Sequence, residues 1–399
     1  MRKLEEYIST GGKVLRCGYT TGTCAAAAAR AATELLLGGT VPSCVEVKTP
    51  AGICVVLEIE QVEQGEDWAQ CAVQKDAGDD PDVTDGVQVF ARVTRANTTG
   101  VTIDGGLGVG RVTKPGLDQP VGSAAINSVP RAMIDQAVRQ AAQEQGYTEG
   151  LAVVISIPQG VELAAKTFNP RLGIEGGISV LGTSGIVRPM SEEAMVSSIQ
   201  LELRMQRAAG HEQVLVVPGN YGRAFAAGVL GLDVTDAVTC SNYIGATIDE
   251  AARLGFARML LVGSLGKLVK VAAGVMNTHS RVADCRAEVM AAHAALAGAG
   301  LQVVADIMDA PTTDAMLEIL QEQGSQQQVA DSLMERIALH LAQRAGKNMQ
   351  VEAIVFSNRY GLIGATAQAG EMLSCGNAFE DAWIEGPSPS PRCGEDDAG

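Results

Sequence analysis

The chain has 399 residues, 46% of them hydrophobic and 4% aromatic, with a formal net charge of −16 at pH 7. That length is too great for one ordinary core and points to two domains. So acidic a chain lacks the basic footprint that nucleic acid or an anionic membrane requires, so both are excluded as partners and any polyanionic small substrate is left to local arginines and lysines. Nine cysteines are scattered singly, without a C-x-x-C pair, and residues 1–12 are polar rather than a signal peptide. Both features read as a protein of the reducing cytoplasm. No apolar run reaches the roughly 18 residues of a membrane span.

Residues 13–19 read as a short strand running into T-T-G-T at 20–23. The alanine-rich segment 24–37 follows as a helix, with the threonines as N-cap candidates and Gly38 and Gly39 as its stop. Segments 44–48, 53–60, 69–74, 87–93, 101–103 and 111–113 are β-rich and separated by Gly, Asp or Pro turns. A helix over 128–145 and a strand over 151–157 complete this half. Ser191, Glu192 and Glu193 open a helix that runs to about residue 209. Strand and helix then alternate: strand 213–217, helix 221–230, strand 237–240, helix 243–254, strand 258–262 and helix from about 267. Further helices lead to a last strand over 351–356. The expected fold class is α/β and α+β. An N-terminal α+β domain with a mixed sheet spans 1–195, and a C-terminal Rossmann-like parallel α/β domain spans 196–370. Residues 371–399 are expected to form a flexible acidic tail.

Several segments carry more glycine, hydroxyl and charge than a core needs. At G-Y-T-T-G-T-C (18–24), free helix N–H groups and the hydroxyls of Thr20, Thr21 and Thr23 suit an anion, or simply cap the helix. At A-G-D-D-P-D-V-T (77–84), Asp79, Asp80 and Asp82 suit a hard cation or a solvated turn. The glycine loop 105–116 returns into a strand, which disfavours a dinucleotide fingerprint, and sets Arg111 and Lys114 beside it. The irregular run 166–191 combines Lys166, Asn169, Arg171 and Arg188. In the C-terminal half, loops 218–222, 263–270 and 357–361 all follow strands, where open α/β sheets bind ligands. His279, in G-V-M-N-T-H-S, is one of four histidines and a candidate general base or a structural residue. The G-S-L-G-K turn at 263–267 fails the P-loop spacing.

Together the stretches LRCGYTTGTCAAAAARAA, AGDDPDVTDG, GVGRVTKPGL, KTFNPRLGIEGGISVLGTSGIVRPMSEEA, PGNYGR, CSNYIG and GKLVKVAAGVMNTHS, running from Leu15 to Ser280, resemble the CbiD family of cobalt-precorrin-5B C-1-methyltransferases. Ser264 stands where the family pattern leads us to expect histidine, which shifts weight to His279. The resemblance implies methyl transfer from S-adenosylmethionine to ring carbon 1 of a cobalt-bearing tetrapyrrole, with cobalt arriving in the substrate and no protein metal site. The carboxylate arms of such a ring need helix N-termini and Arg or Lys forks, for which the candidates are Thr20, Thr21, Thr23, Arg111, Lys114, Arg171, Lys267 and Lys270. S-adenosylmethionine is expected near Gly219, Asn220, Tyr221, Gly263 and Gly266, with the 105–110 loop as the competing place. His279 or Asp104 is expected to accept a proton. A homo-oligomer is compatible with the sequence. The rival readings are a magnesium-dependent phosphotransferase, a corrinoid carrier without catalysis, and autoproteolysis at Thr20 or Thr21.

Overall fold

A computed structural model of the chain describes residues 3–373 except 11, 98 and 168. The chain divides into two compact units, Met1–Glu192 and a second that begins at Glu193. Most of the acidic tail expected over 371–399 therefore lies outside the described residues, from 374 onward.

The N-terminal unit is built on a five-stranded mixed sheet in the order 60–64, 68–74, 88–96, 150–156, 101–105. Only the pair 150–156 with 101–105 is parallel; the other neighbours are antiparallel. Strand Gln88–Ala96 shows the period-2 pattern of a half-buried strand, with Val89, Ala91 and Val93 fully buried. Against this face lies the helix Thr21–Gly38, buried on nearly every side from Thr21 to Thr33. Seven alanines allow that close approach, because a larger residue would hold the helix off the sheet. Thr20 caps its start by accepting from the Thr23 N–H, and Gly39 ends it in the left-handed region at φ 72°. The amphipathic helix Ser128–Glu144 packs beside it through Met133, Ile134, Ala137, Val138 and Ala142.

Two strands expected to be continuous are broken. Residues 13–16 pair with 7–10, whereas 18–19 pair with 186–187, so the run changes partner at Cys17. The expected strand 53–60 divides into Cys54–Glu58 and Glu60–Gln64, and Gln61 just past the break is left-handed at φ 46°. Both segments are β-rich on either side of the break, so composition does not mark where the chain changes partner.

The C-terminal unit carries a five-stranded sheet in the order 238–239, 213–217, 258–264, 350–357, 361–365. The first four strands are parallel and the last is antiparallel. The central strand Arg258–Ser264 is buried from Met259 to Gly263. Such a continuous apolar run belongs to a parallel strand covered on both faces. One face carries the helix Asn220–Gly228, whose Phe225 stacks on Phe356 with ring centroids 4.2 Å apart. Helices Glu192–Ala208, Ile244–Arg253, Leu265–Val271 and Gln326–Ala345 contribute to the core on the other face. Numbered in chain order the strands run 2-1-3-4-5. The winding direction therefore reverses between 213–217 and 258–264, and a crevice opens beyond their carboxyl ends.

Candidate functional site

In the N-terminal unit the sequence motifs fold onto one another. The Thr23 hydroxyl donates to the Gly185 carbonyl at 2.7 Å, and the Thr21 hydroxyl both donates to the Leu181 carbonyl and accepts from its N–H. The Thr20 and Gly22 N–H groups donate to Gly185 and Leu181. All three threonines are buried. The helix start that could have held an anion is thus occupied by the 181–185 loop of the same chain. The expected substrate contacts at Thr20, Thr21 and Thr23 meet hydroxyls already engaged in holding that loop.

The acidic turn behaves in the same way. Arg16 makes a two-pronged pair with Asp76, at 2.5 and 2.7 Å. Burial would raise the Asp76 carboxyl, but Arg16 and the Gly78 N–H outweigh it and hold it below the ordinary carboxylate range. Asp79 accepts from the Arg16 N–H, Asp80 from the Met190 N–H, and Asp82 from Lys75 and Thr84. The carboxylates are therefore divided among separate partners. Among the described residues no group of three or more His, Cys, Asp or Glu is arranged to hold a metal ion. In the glycine loop, a side chain on Gly108 would overlap the Ile157 carbonyl, so this glycine permits chain to approach chain rather than ligand.

What this unit does present outward is a basic pair of short strands. Residues 111–112 pair with 174–175, and the Thr113 N–H donates to the Gly173 carbonyl. Arg111, Lys114 and Arg171 are all exposed there. Arg111 grips Asp104 through two hydrogen bonds of 2.7 and 2.9 Å. That guanidinium holds the Asp104 carboxyl below the usual range, which weakens it as a proton acceptor.

The C-terminal crevice has the opposite character. A cavity of about 320 Å³ is lined by Asn242, Gly266, Lys267, Lys270, His279 and Arg286, with Thr278 and Ser280 beside them. Lys267 reaches across the winding reversal. Its Nζ donates to the Pro218 carbonyl after strand 213–217 at 3.1 Å, and to the Ser241 carbonyl after strand 238–239 at 3.2 Å. Burial pushes this ammonium below the usual lysine range. Lys270 is buried, bonds to the Thr278 carbonyl and Ser280 hydroxyl, and lies 3.8 Å from Asp284. Arg286 makes a two-pronged pair with the same Asp284. Two of the three cations thus share one carboxylate. Lys267 has carbonyl partners and no carboxylate partner among the described residues.

His279 stands exposed at this cavity. Its Nδ1 accepts from the Arg281 N–H at 3.0 Å. In the neutral ring that assigns the proton to Nε2, so the free edge donates rather than accepts. The proton-accepting role expected for His279 is not the one this hydrogen bond prepares.

Among the residues expected around the donor, Gly219 caps the helix Asn220–Gly228 with open space about it, and Asn220 and Tyr221 are exposed. Gly263 is buried, and a side chain there would press on Leu268 and Pro218. It serves packing. Gly266 faces two cavities, the second of about 180 Å³ and lined also by Thr313, Asp314, Ser357 and Asn358. Sequence reading did not single out Arg286 or Asp314. Both lie in the region read only as further helices, where nothing local separates a lining residue from a solvated one.

Residues 8–189 match the CbiD family profile, and residues 277–367 match that of the CbiD C-terminal domain. A cobalt-precorrin-5B C(1)-methyltransferase of Ruminiclostridium cellulolyticum is 50% identical over 355 residues, covering 89% of this chain and 92% of that one. A protein of the same name from Alkaliphilus metalliredigens is 43% identical over 370 residues, covering 93% and 97%. A solved structure of a cobalamin biosynthesis protein (CbiD) from Archaeoglobus fulgidus is 29% identical, covers 69% of this chain and 86% of that chain, and gives a TM-score of 0.37.

Proposed function

The chain belongs to the CbiD family, and from that premise we propose that it methylates C-1 of cobalt-precorrin-5B to give cobalt-precorrin-6A, with S-adenosylmethionine as donor. The observation that carries this reading is the near end-to-end match, at 50% identity, to a relative bearing that activity in its name. A phosphotransferase is not favoured, since the helix start that would cradle phosphate is filled by the chain's own 181–185 loop. No described helix is long and apolar enough to cross a membrane.

The C-terminal unit, read as a Rossmann-like layer, fits the donor on one ground. Lys267 is a half-buried ammonium at the winding reversal with carbonyl partners alone, and a ligand carboxylate would supply the missing charge. S-adenosylmethionine, when bound, supplies a sulfonium methyl group that an electron-rich ring carbon can take. Gly266 lines the space for it, whereas the expected Gly219, Asn220 and Tyr221 open the helix after strand 213–217 and line neither cavity, and Gly263 acts through its packing on Leu268 and Pro218. Lys270 holds the 278–280 loop in place. His279 offers an Nε2–H donor at the rim.

Arg111, on one of the paired short strands of the N-terminal unit, and Lys114 and Arg171, exposed in the segments flanking that pair, suit the acetate and propionate arms of the ring. Their contribution is positional, since holding the ring carbon against the donor can account for much of the acceleration.

The deciding experiment is anaerobic incubation of purified protein with cobalt-precorrin-5B and methyl-labelled S-adenosylmethionine. One labelled methyl group should enter the corrinoid, without ATP or magnesium. No transfer, or a requirement for ATP, would overturn the assignment.

A further inference from the structure

Glycine at position 266 has no packing reason to be there. It is the second residue of the helix Leu265–Val271, where glycine is a poorer helix former than alanine. Beyond its own helix and chain neighbours, a Cβ built on it meets a single heavy atom within 4 Å, the Thr313 hydroxyl oxygen at 3.6 Å, which is ordinary contact. Its neighbours differ. A Cβ on Gly222 would press on the Val262 carbonyl at 2.7 Å, and one on Gly263 would meet Leu268 at 3.0 Å. Those two glycines are explained by the fold, whereas Gly266 is explained only by the space in front of it. That space is shared, because Gly266 lines both the 320 Å³ cavity and the 180 Å³ cavity.

The two cavities carry complementary chemistry. The larger holds Lys267, whose ammonium has no carboxylate partner among the described residues. The smaller holds Asp314, whose Oδ1 accepts from the Ser357 hydroxyl at 2.8 Å. Ser357 is itself fixed by accepting from the Arg359 and Tyr360 N–H groups at 3.0 and 3.2 Å. Asp314 Oδ2 has no hydrogen-bond donor among the described residues. A fixed carboxylate oxygen beside a cavity is an acceptor for ligand hydroxyls.

We propose that the two cavities form one bipartite donor site with Gly266 as its waist, taking a nucleoside linked to an amino acid. The amino-acid carboxylate binds Lys267 in the larger lobe. The ribose hydroxyls bind Asp314 in the smaller lobe, and the linking chain passes over Gly266. This rests on the methyltransferase reading and specifies which groups of the donor each lobe reads.

The test is titration of the full chain with S-adenosylhomocysteine and with 5′-methylthioadenosine, which keeps the nucleoside and sulfur but lacks the amino acid. Lys267→Met should weaken S-adenosylhomocysteine by roughly 10–150-fold and leave 5′-methylthioadenosine unchanged. Asp314→Asn should weaken both. Gly266→Ala should weaken S-adenosylhomocysteine while keeping or raising the melting temperature, so that lost binding cannot be ascribed to lost folding. The proposal falls if Gly266→Ala binds like the parent, if Lys267→Met weakens both ligands alike, or if the parent binds neither ligand with or without corrinoid. A Lys267→Met enzyme with unchanged S-adenosylhomocysteine affinity but a raised KM for corrinoid would assign that lysine to the ring's carboxylates and also sink it. Methyl transfer by the parent separates the two levels. If transfer persists while these bindings fail, the bipartite site is wrong and the activity stands; without transfer, the activity itself is wrong.

Discussion

The start of the helix Thr21–Gly38 and the start of the helix Leu265–Val271 are alike in sequence terms. Both follow a strand, both carry glycine, and both gather buried or half-buried polar side chains. Their electrostatic states are opposite. At the first, the threonine hydroxyls and two backbone N–H groups meet partners from the 181–185 loop, and the neighbouring acidic turn is matched by Arg16 and Lys75. At the second, Lys267 is left with carbonyls only and borders a cavity. A buried polar group with matched partners holds a fold together, and one left short of a counter-charge beside a cavity keeps charge that a ligand could match.

The largest expected effect lies on the matched side. Arg16→Ala strands the buried Asp76 carboxylate, and breaking such a pair costs about 3–5 kcal/mol. A denaturant titration should show that loss in the midpoint. A drop below about 1 kcal/mol would mean that the pair is not what joins the two motifs. Acid should act through the same groups. Asp76 and Asp82 are held below the ordinary carboxylate range despite burial. Their contribution is therefore full above the unfolded value near ~3.9 and disappears as pH falls through the lower folded values. Asp76→Asn should flatten the acid limb of the stability–pH curve, and an unchanged slope would contradict this.

Next in size is Thr23→Val, which keeps the shape and removes the donor to Gly185. It should cost about 1–3 kcal/mol in the same titration and leave affinity for S-adenosylhomocysteine and corrinoid alone. A selective loss of corrinoid affinity in a fully stable variant would return Thr23 to the substrate site.

These contrasts mark what the sequence could reveal. Alternating apolar segments announced a parallel layer after residue 210, and the alanine run announced a buried helix, because both are local periodicities. The loops after strands 258–264 and 350–357 were legible as places for a cavity, because the ligand rule needs only strand direction and order, whereas the loop 218–222 lines neither cavity. The fate of each motif was not legible. Whether Thr23 faces a ligand or Gly185 depends on a contact 162 positions away. For His279 the deciding contact is local, the Arg281 N–H two residues on, but no spacing rule predicts it. Asp314 came from a stretch read only as helix, and its interest arises from Ser357, 43 positions on.

On the unmatched side stability should hardly move. Lys267→Met removes an ammonium whose burial is costly but also leaves two carbonyls without their donor, so the net change should stay within about 1 kcal/mol. A stability loss as large as that of Arg16→Ala would make Lys267 a structural residue and erase the contrast between the two helix starts.

The smallest effect on stability, and the finest distinction, belongs to Asp104→Asn. Asp104 and Arg111 are both substantially exposed, so their pair should contribute no more than ~1 kcal/mol and weaken with salt. The kinetics decide between two roles for this carboxylate. As a general base its loss would lower kcat by about 10²–10⁴-fold. The two hydrogen bonds from Arg111 argue against that, because they favour the ionised form and weaken its pull on a proton. As the resting partner of Arg111, Asp104 competes with the carboxylate arms of the ring for one guanidinium. Removing it should then leave kcat near its parent value and lower KM for the corrinoid, most clearly at low ionic strength, where Arg111 attracts an incoming carboxylate over a longer range. Double substitution with Arg111→Ala should abolish that gain in KM. If instead kcat falls and KM holds, Asp104 touches the reacting proton, and the basic strand pair of the N-terminal unit is a place of chemistry and not only of grip.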